Sequence, residues 1–118
     1  MTTTPWTVAP VPEPADIVLF HWSVFEIPLA EDSRRTTRHF VGLTADRRHV
    51  RVSSPVVTFD PEGRRGVTRS GRVYELAGPN GFDVDARYVW ARWRADNNIQ
   101  QEWDISDDVL KDIRLGPD

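Results

Sequence analysis

The chain has 118 residues, 39% hydrophobic and 28% charged, which fits one globular domain and excludes a disordered or fibrous chain. It has no cysteine, so disulfides, thiolate chemistry and cysteine zinc sites are excluded. The net charge of -3 hides an asymmetry: residues 34–95 carry 13 arginines against six acids, while acids outnumber bases in both flanking segments.

Residues 1–14 (MTTTPWTVAPVPEP) hold four prolines. Proline fixes φ and forbids helix, so the stretch is expected to be an extended N-terminal arm, with residues 15–118 forming a single domain. The arm has neither a basic start nor an apolar core, so it is not read as a secretory signal. Trp6 is expected to be pinned on the domain and not offered to a partner.

Residues 16–27 (DIVLFHWSVFEI) form the principal strand. Val18, Phe20, Trp22 and Val24 are assigned to one face, with Ile17, Leu19, His21, Phe25 and Ile27 on the other. Being apolar on both faces, the strand wants cover on both and is placed centrally. Its nearly apolar run from 17 to 25 is nine residues, short of the roughly 20 a membrane helix needs. His21 is read as a hydrogen-bonded core histidine. Residues 36–43, 48–53, 56–59, 66–69 and 72–76 alternate as further short strands. Turn signals lie at Asp60-Pro61-Glu62-Gly63 and at Ser70-Gly71.

The period then changes. Asp83 caps a helix over 84–96 with Ala86, Val89, Trp90 and Trp93 on one face, and Asn97-Asn98 ends it. Residues 99–103 add a short edge strand, and Ser106 caps a second, shorter helix carrying Val109, Leu110 and Ile113. The fold class is α+β: an antiparallel meander of about five to six strands, then a tryptophan-rich helix and a short C-terminal helix.

Catalytic patterns are sparse. His21, His39 and His49 lack HExxH or HxH spacing, and the serines lack a GxSxG elbow. The stretch Gly78-Pro79-Asn80-Gly81 lacks a phosphate-loop ending. No catalytic residue, metal ligand or cofactor is assigned. The informative residues are arginines, since guanidinium binds carboxylate or phosphate bidentately. Arg64, Arg65, Arg69 and Arg72 surround one hairpin, with Tyr74 beside Arg72 as a stacking aromatic. Arg34, Arg35 and Arg38 form a second cluster, and Arg47, Arg48 and Arg51 a third. The competing reading is a solvated strand face, and arginine usage can also reflect a GC-rich genome.

The TRSGRVYEL and DARYVWARW segments, within residues 38–113, resemble a group of small uncharacterised bacterial proteins encoded among plasmid, phage and genomic-island genes. The resemblance implies a bacterial, cytoplasmic accessory protein and transfers no activity. The expectation is therefore a non-enzymatic interaction protein, an accessory or inhibitor protein of a mobile element, that binds a protein or nucleoprotein partner through Arg64, Arg65, Arg69, Arg72, Tyr74, Arg48 and Arg51 or through an exposed aromatic patch. Direct nucleic-acid binding by the same arginines is the alternative. A small-molecule binder or small enzyme with a pocket between sheet and helix is the third reading. Membrane attachment is not expected.

Overall fold

The computed structural model describes residues 5–29, 32, 34–46, 49–81 and 83–115. In chain order the strands are β1 (Thr7–Val8), β2 (Ile17–Pro28), β3 (Thr36–Leu43), β4 (Val50–Val52), β5 (Val56–Asp60), β6 (Arg65–Thr68) and β7 (Val73–Leu76). Helix α1 (Val84–Asp96), strand β8 (Trp103–Asp104) and helix α2 (Ser106–Leu115) follow.

The α+β class with two late helices is as expected, but the sheet is not an antiparallel meander of five to six strands. It has eight strands of mixed direction, ordered β1-β5-β6-β7-β2-β3-β4 with β8 also on β2. Two antiparallel meanders, β2-β3-β4 and β5-β6-β7, lie within it. Two parallel pairings, β1 with β5 and β2 with β7, make up the difference. Each joins segments distant in sequence, which local alternation cannot reveal.

Strand β2 is central because its two halves serve different neighbours. Ile17 to Leu19 pair with β7, while Phe25 and Glu26 lie between β3 and β8. Between the halves the register with β3 shifts, and His21 takes a left-handed φ of 48°. This bulge swings the downstream residues through one step of alternation. Leu19, Trp22 and Val24 therefore share one core, where simple alternation set Leu19 opposite the other two. Phe25 and Ile27 turn to the outer face. His21 is exposed and not a core residue, because the bulge extrudes it. Across the pair, Gly42 leaves room for this kink: a Cβ there would lie 3.0 Å from the Phe20 carbonyl oxygen and 3.1 Å from Leu19 Cβ.

The sheet bends around its main core. Phe40 of β3 reaches across to Phe59 of β5 and Tyr74 of β7, with ring centres 6.0 and 6.1 Å away. Ser53 ties the same residue down, its N–H donating to the Phe40 carbonyl and its hydroxyl accepting the Phe40 N–H, each at 2.9 Å. Trp6 is buried at 5% exposure, stacked on Phe59 at 4.7 Å and covered by the Arg38 guanidinium at 4.5 Å. Val109 of α2 completes this core, with Ile105, Leu110 and Ile113 packed against it.

Helix α1 occupies the expected span, capped by Asp83, whose carboxylate accepts the Ala86 N–H at 3.0 Å. Its Ala86 and Trp90 cover Ile27 and Val41 on the other side of the sheet, so β2 is covered on both faces. Trp90 stacks with Phe25 at 4.6 Å and with Trp93 at 5.1 Å. Ser106 begins α2 but does not spend its hydroxyl capping it; that oxygen accepts the Val24 N–H at 2.9 Å, pinning the helix to the sheet. The Asp104 carboxylate accepts the Ser106 N–H instead. No helix among the described residues is long and apolar enough to cross a membrane.

Candidate functional site

The arginines divide into those consumed by the fold and those left at its surface. Arg65 belongs to the first group. Its side chain is 15% exposed, its Nε donates to the Val11 carbonyl at 2.8 Å, and Glu13 and Glu75 each lie 3.5 Å from Nη1. It anchors the N-terminal arm jointly with Asp60, whose carboxylate accepts the N–H groups of Val11 at 2.9 Å and Gly63 at 3.0 Å. Burial acts to raise the Asp60 pKa, but those two N–H bonds and the Arg65 charge outweigh it and hold the carboxyl below its usual range.

Arg64 sits in a left-handed turn conformation (φ 59°) and donates to the Gly78 carbonyl, while its Nε is buried without a partner among the described residues. Arg38 pairs with Glu26 at 2.8 Å as it covers Trp6. Arg51 donates through Nε to the Tyr74 hydroxyl at 3.1 Å. Tyr74 is itself only 2% exposed, so it is a core residue and not a stacking platform beside Arg72. Its strand position, opposite Gly66 on β6, turns it inward. Arg48 lies outside the described residues, as does Arg47. Of the six proposed residues that are described, Tyr74 is buried, Arg64, Arg65 and Arg51 each donate to a partner within the fold, and Arg69 and Arg72 remain.

Arg69 and Arg72 flank the β6–β7 turn, exposed, with no hydrogen-bonding or ion-pairing partner for either side chain among the described residues. Arg35 is in the same state. Arg34 is 90% exposed and holds Asp32 at 3.2 Å, keeping that carboxyl below its usual range through side-chain and then backbone hydrogen bonds. Tertiary folding brings Arg34, Arg35 and Arg69 around one notch of about 180 Å³, with Leu29, Pro55 and Val57 among its apolar walls. Sequence clustering kept Arg34 and Arg35 apart from Arg69; only the pairing of distant strands joins them.

The backbone under this notch is firmly held. The Arg69 N–H donates to the Pro55 carbonyl at 2.8 Å, and Ser70 Oγ meets both Ser54 Oγ at 3.0 Å and Thr68 Oγ1 at 2.8 Å. On the other side the Arg35 N–H donates to the Asp32 carbonyl at 3.0 Å, and its carbonyl accepts the Leu29 N–H at 2.9 Å.

His39 of β3, 3% exposed, lies against the Trp93 ring of α1 with ring centres 5.1 Å apart. Its Nδ1 faces the Ser53 carbonyl and its Nε2 the Thr37 hydroxyl, both at 2.8 Å. A carbonyl only accepts, so Nδ1 carries the proton and Nε2 accepts from Thr37. Burial lowers the His39 pKa; the Ser53 carbonyl opposes this, and the Arg69 charge adds to the lowering.

A second concavity, about 360 Å³, runs between α1 and strands β2, β3 and β8. Arg94 closes on Glu102 there at 2.6 Å, and the Trp90 indole N–H donates to the same carboxylate oxygen at 3.2 Å. The Arg94 Nε is buried without a partner among the described residues. Asp83 and Asp104 also line this cleft.

No three or more His, Cys, Asp or Glu side chains among the described residues group as metal ligands. His21 is exposed at the bulge, His39 is enclosed, and His49 faces Asp46 at 3.2 Å. Compared with known protein families, curated proteins and solved structures, the chain has no match.

Proposed function

We propose that the protein is a non-enzymatic binding module that docks a protein or nucleoprotein partner through the arginine notch at the ends of β3 and β6. One observation carries this reading: Arg35 and Arg69 converge on a single concavity with no side-chain hydrogen bond or ion pair among the described residues, while Arg38 and Arg65 are paired with Glu26, Glu13 and Glu75 and Arg64 is turned onto the Gly78 carbonyl. Guanidinium left exposed beside apolar walls on a braced backbone suits recognition of an acidic group. The resemblance of the TRSGRVYEL and DARYVWARW segments supports a setting in the bacterial cytoplasm as an accessory or inhibitor protein of a mobile element.

The test is quantitative affinity enrichment from bacterial lysate, comparing the native chain with the Arg35→Glu, Arg69→Glu double variant. A defined partner enriched by the native chain and lost with the variant supports the reading. Equal enrichment by both proteins removes the notch from it.

The cleft along α1 favours a second reading, a small-molecule binder, because it is concave and gathers Arg94, Glu102, Asp83 and Asp104 over an aromatic floor. A thermal-shift screen of small amines and carboxylates tests this. A stabilising ligand whose effect disappears in Arg94→Met supports it, and a screen without hits sets it aside.

A further inference from the structure

We infer that the notch of Arg34, Arg35 and Arg69 receives a short acidic segment of a partner protein, with carboxylates on the guanidinium groups and an apolar side chain against Pro55 and Val57. This rests on the reading of the notch as the docking surface and names the chemistry it selects.

Three observations favour an acidic polypeptide over a nucleic acid. First, the notch gathers three guanidinium groups at one place. A nucleic-acid backbone offers regularly spaced phosphates and rewards cations strung along a groove. Two further arginines are neutralised within the fold, Arg65 by Glu13 and Glu75 and Arg38 by Glu26, while Arg72 stays exposed across the β6–β7 turn and Arg51 stays exposed on the neutral Tyr74 hydroxyl.

Second, no aromatic ring lines the notch, although base recognition on single strands depends on stacking. Phe40 and Tyr74, the aromatics nearest to these arginines in sequence, are 0% and 2% exposed.

Third, the walls are partly apolar. Val57 is 41% exposed although it lies on a strand, and Pro55 and Leu29 flank it. Volume matters too. About 180 Å³ is enough for one or two side chains. A segment alternating acidic and aliphatic residues would satisfy both chemistries at once. The braced turns at Arg35 and Arg69 mean that little ordering is needed on binding.

The experiment is fluorescence anisotropy at roughly 50 mM salt, where such contacts are least screened. One probe is a fluorescein-labelled peptide of repeated Asp-Glu-Leu-Ser units, and the other a labelled oligothymidine of equal charge. The peptide is expected to bind with a Kd below about 100 µM, within the range of weak specific contacts. Arg35→Glu and Arg69→Glu are each expected to weaken it at least tenfold, and Val57→Ser several-fold. Should a charge reversal disturb the fold by circular dichroism, Arg35→Gln and Arg69→Gln serve in its place, with a smaller loss in the same direction.

Absence of peptide binding, or binding indifferent to Arg35 and Arg69, overturns the inference. So does tighter binding of the oligothymidine, which would assign the notch to a phosphate backbone. If the peptide fails while a lysate partner is still lost with the double variant, the notch remains a docking surface of different chemistry. If no lysate partner is lost either, both readings fall.

Discussion

The ring of Phe40 lies directly over Gly66, so close that a Cβ on that glycine would sit 2.7 Å from two ring carbons. Strand β6 thus presents a groove in which the central aromatic of the core rests, and β3 can close onto β5, β6 and β7 only because this position has no side chain. Gly66→Ala is expected to cost about 1–3 kcal/mol by overpacking. Urea unfolding monitored by circular dichroism measures it. An unchanged midpoint would show that Phe40 has room to move.

Asp60 holds a turn and the N-terminal arm with one carboxylate, through the N–H groups of Gly63 and Val11. Asp60→Ala orphans both donors and removes one of the negative charges that act on Arg65, with an expected loss of about 1–3 kcal/mol. Protease cleavage before Val11 should quicken alongside. Because the folded carboxyl titrates below its ordinary value, its contribution is complete above pH 3.8 and disappears as pH falls through the lowered value.

His39 makes the same demand, to stay deprotonated, at a higher pH. It is held neutral between Ser53 and Thr37, so below pH 6.5 the unfolded chain takes up a proton that the folded chain resists. Stability should therefore fall from about pH 6.5 downward, by at most about 1.4 kcal/mol per pH unit, until the lowered folded pKa is reached. Urea midpoints at several pH values, for the native chain and His39→Gln, isolate this slope. It should be absent in the variant, and equal slopes would refute the assignment.

Glu102 joins α1 to the segment before β8, receiving Arg94 and the Trp90 indole on one oxygen. Both charged side chains are about one quarter exposed, so solvent takes up part of what is lost on removal. Glu102→Ala is expected to cost about 1–2 kcal/mol. Glu102→Gln keeps an acceptor for Trp90 and should cost less. Denaturant titration of the two variants separates the ion pair from the indole hydrogen bond.

Helix α1 was readable because Ala86, Trp90 and Trp93 recur at helical spacing and Asp83 stands where a cap belongs. The centrality of β2 was readable from its two apolar faces. The mixed sheet was not, since alternation reports which face a residue takes and is silent on which strand lies beside it. A bulge such as the one at His21 leaves composition and spacing unchanged. The arginines show the same division. Their number was plain in the chain, yet whether each is available depended on distant partners such as Val11 for Arg65 and Tyr74 for Arg51.

The kink at His21 makes β2 two strands written in opposite phase. Upstream, odd-numbered residues such as Leu19 point into the main core; downstream, even-numbered Trp22 and Val24 do, while odd-numbered Phe25 and Ile27 meet α1. Excising His21 would set Trp22 two positions after Leu19 and Val24 four after, so the same three side chains would share one face of an unbroken strand. What the extra peptide unit supplies is the bulge itself, with its shift in register against β3 and the close approach that Gly42 permits. The inward set of β2 is therefore that of an ordinary strand into which one outward-facing residue has been inserted.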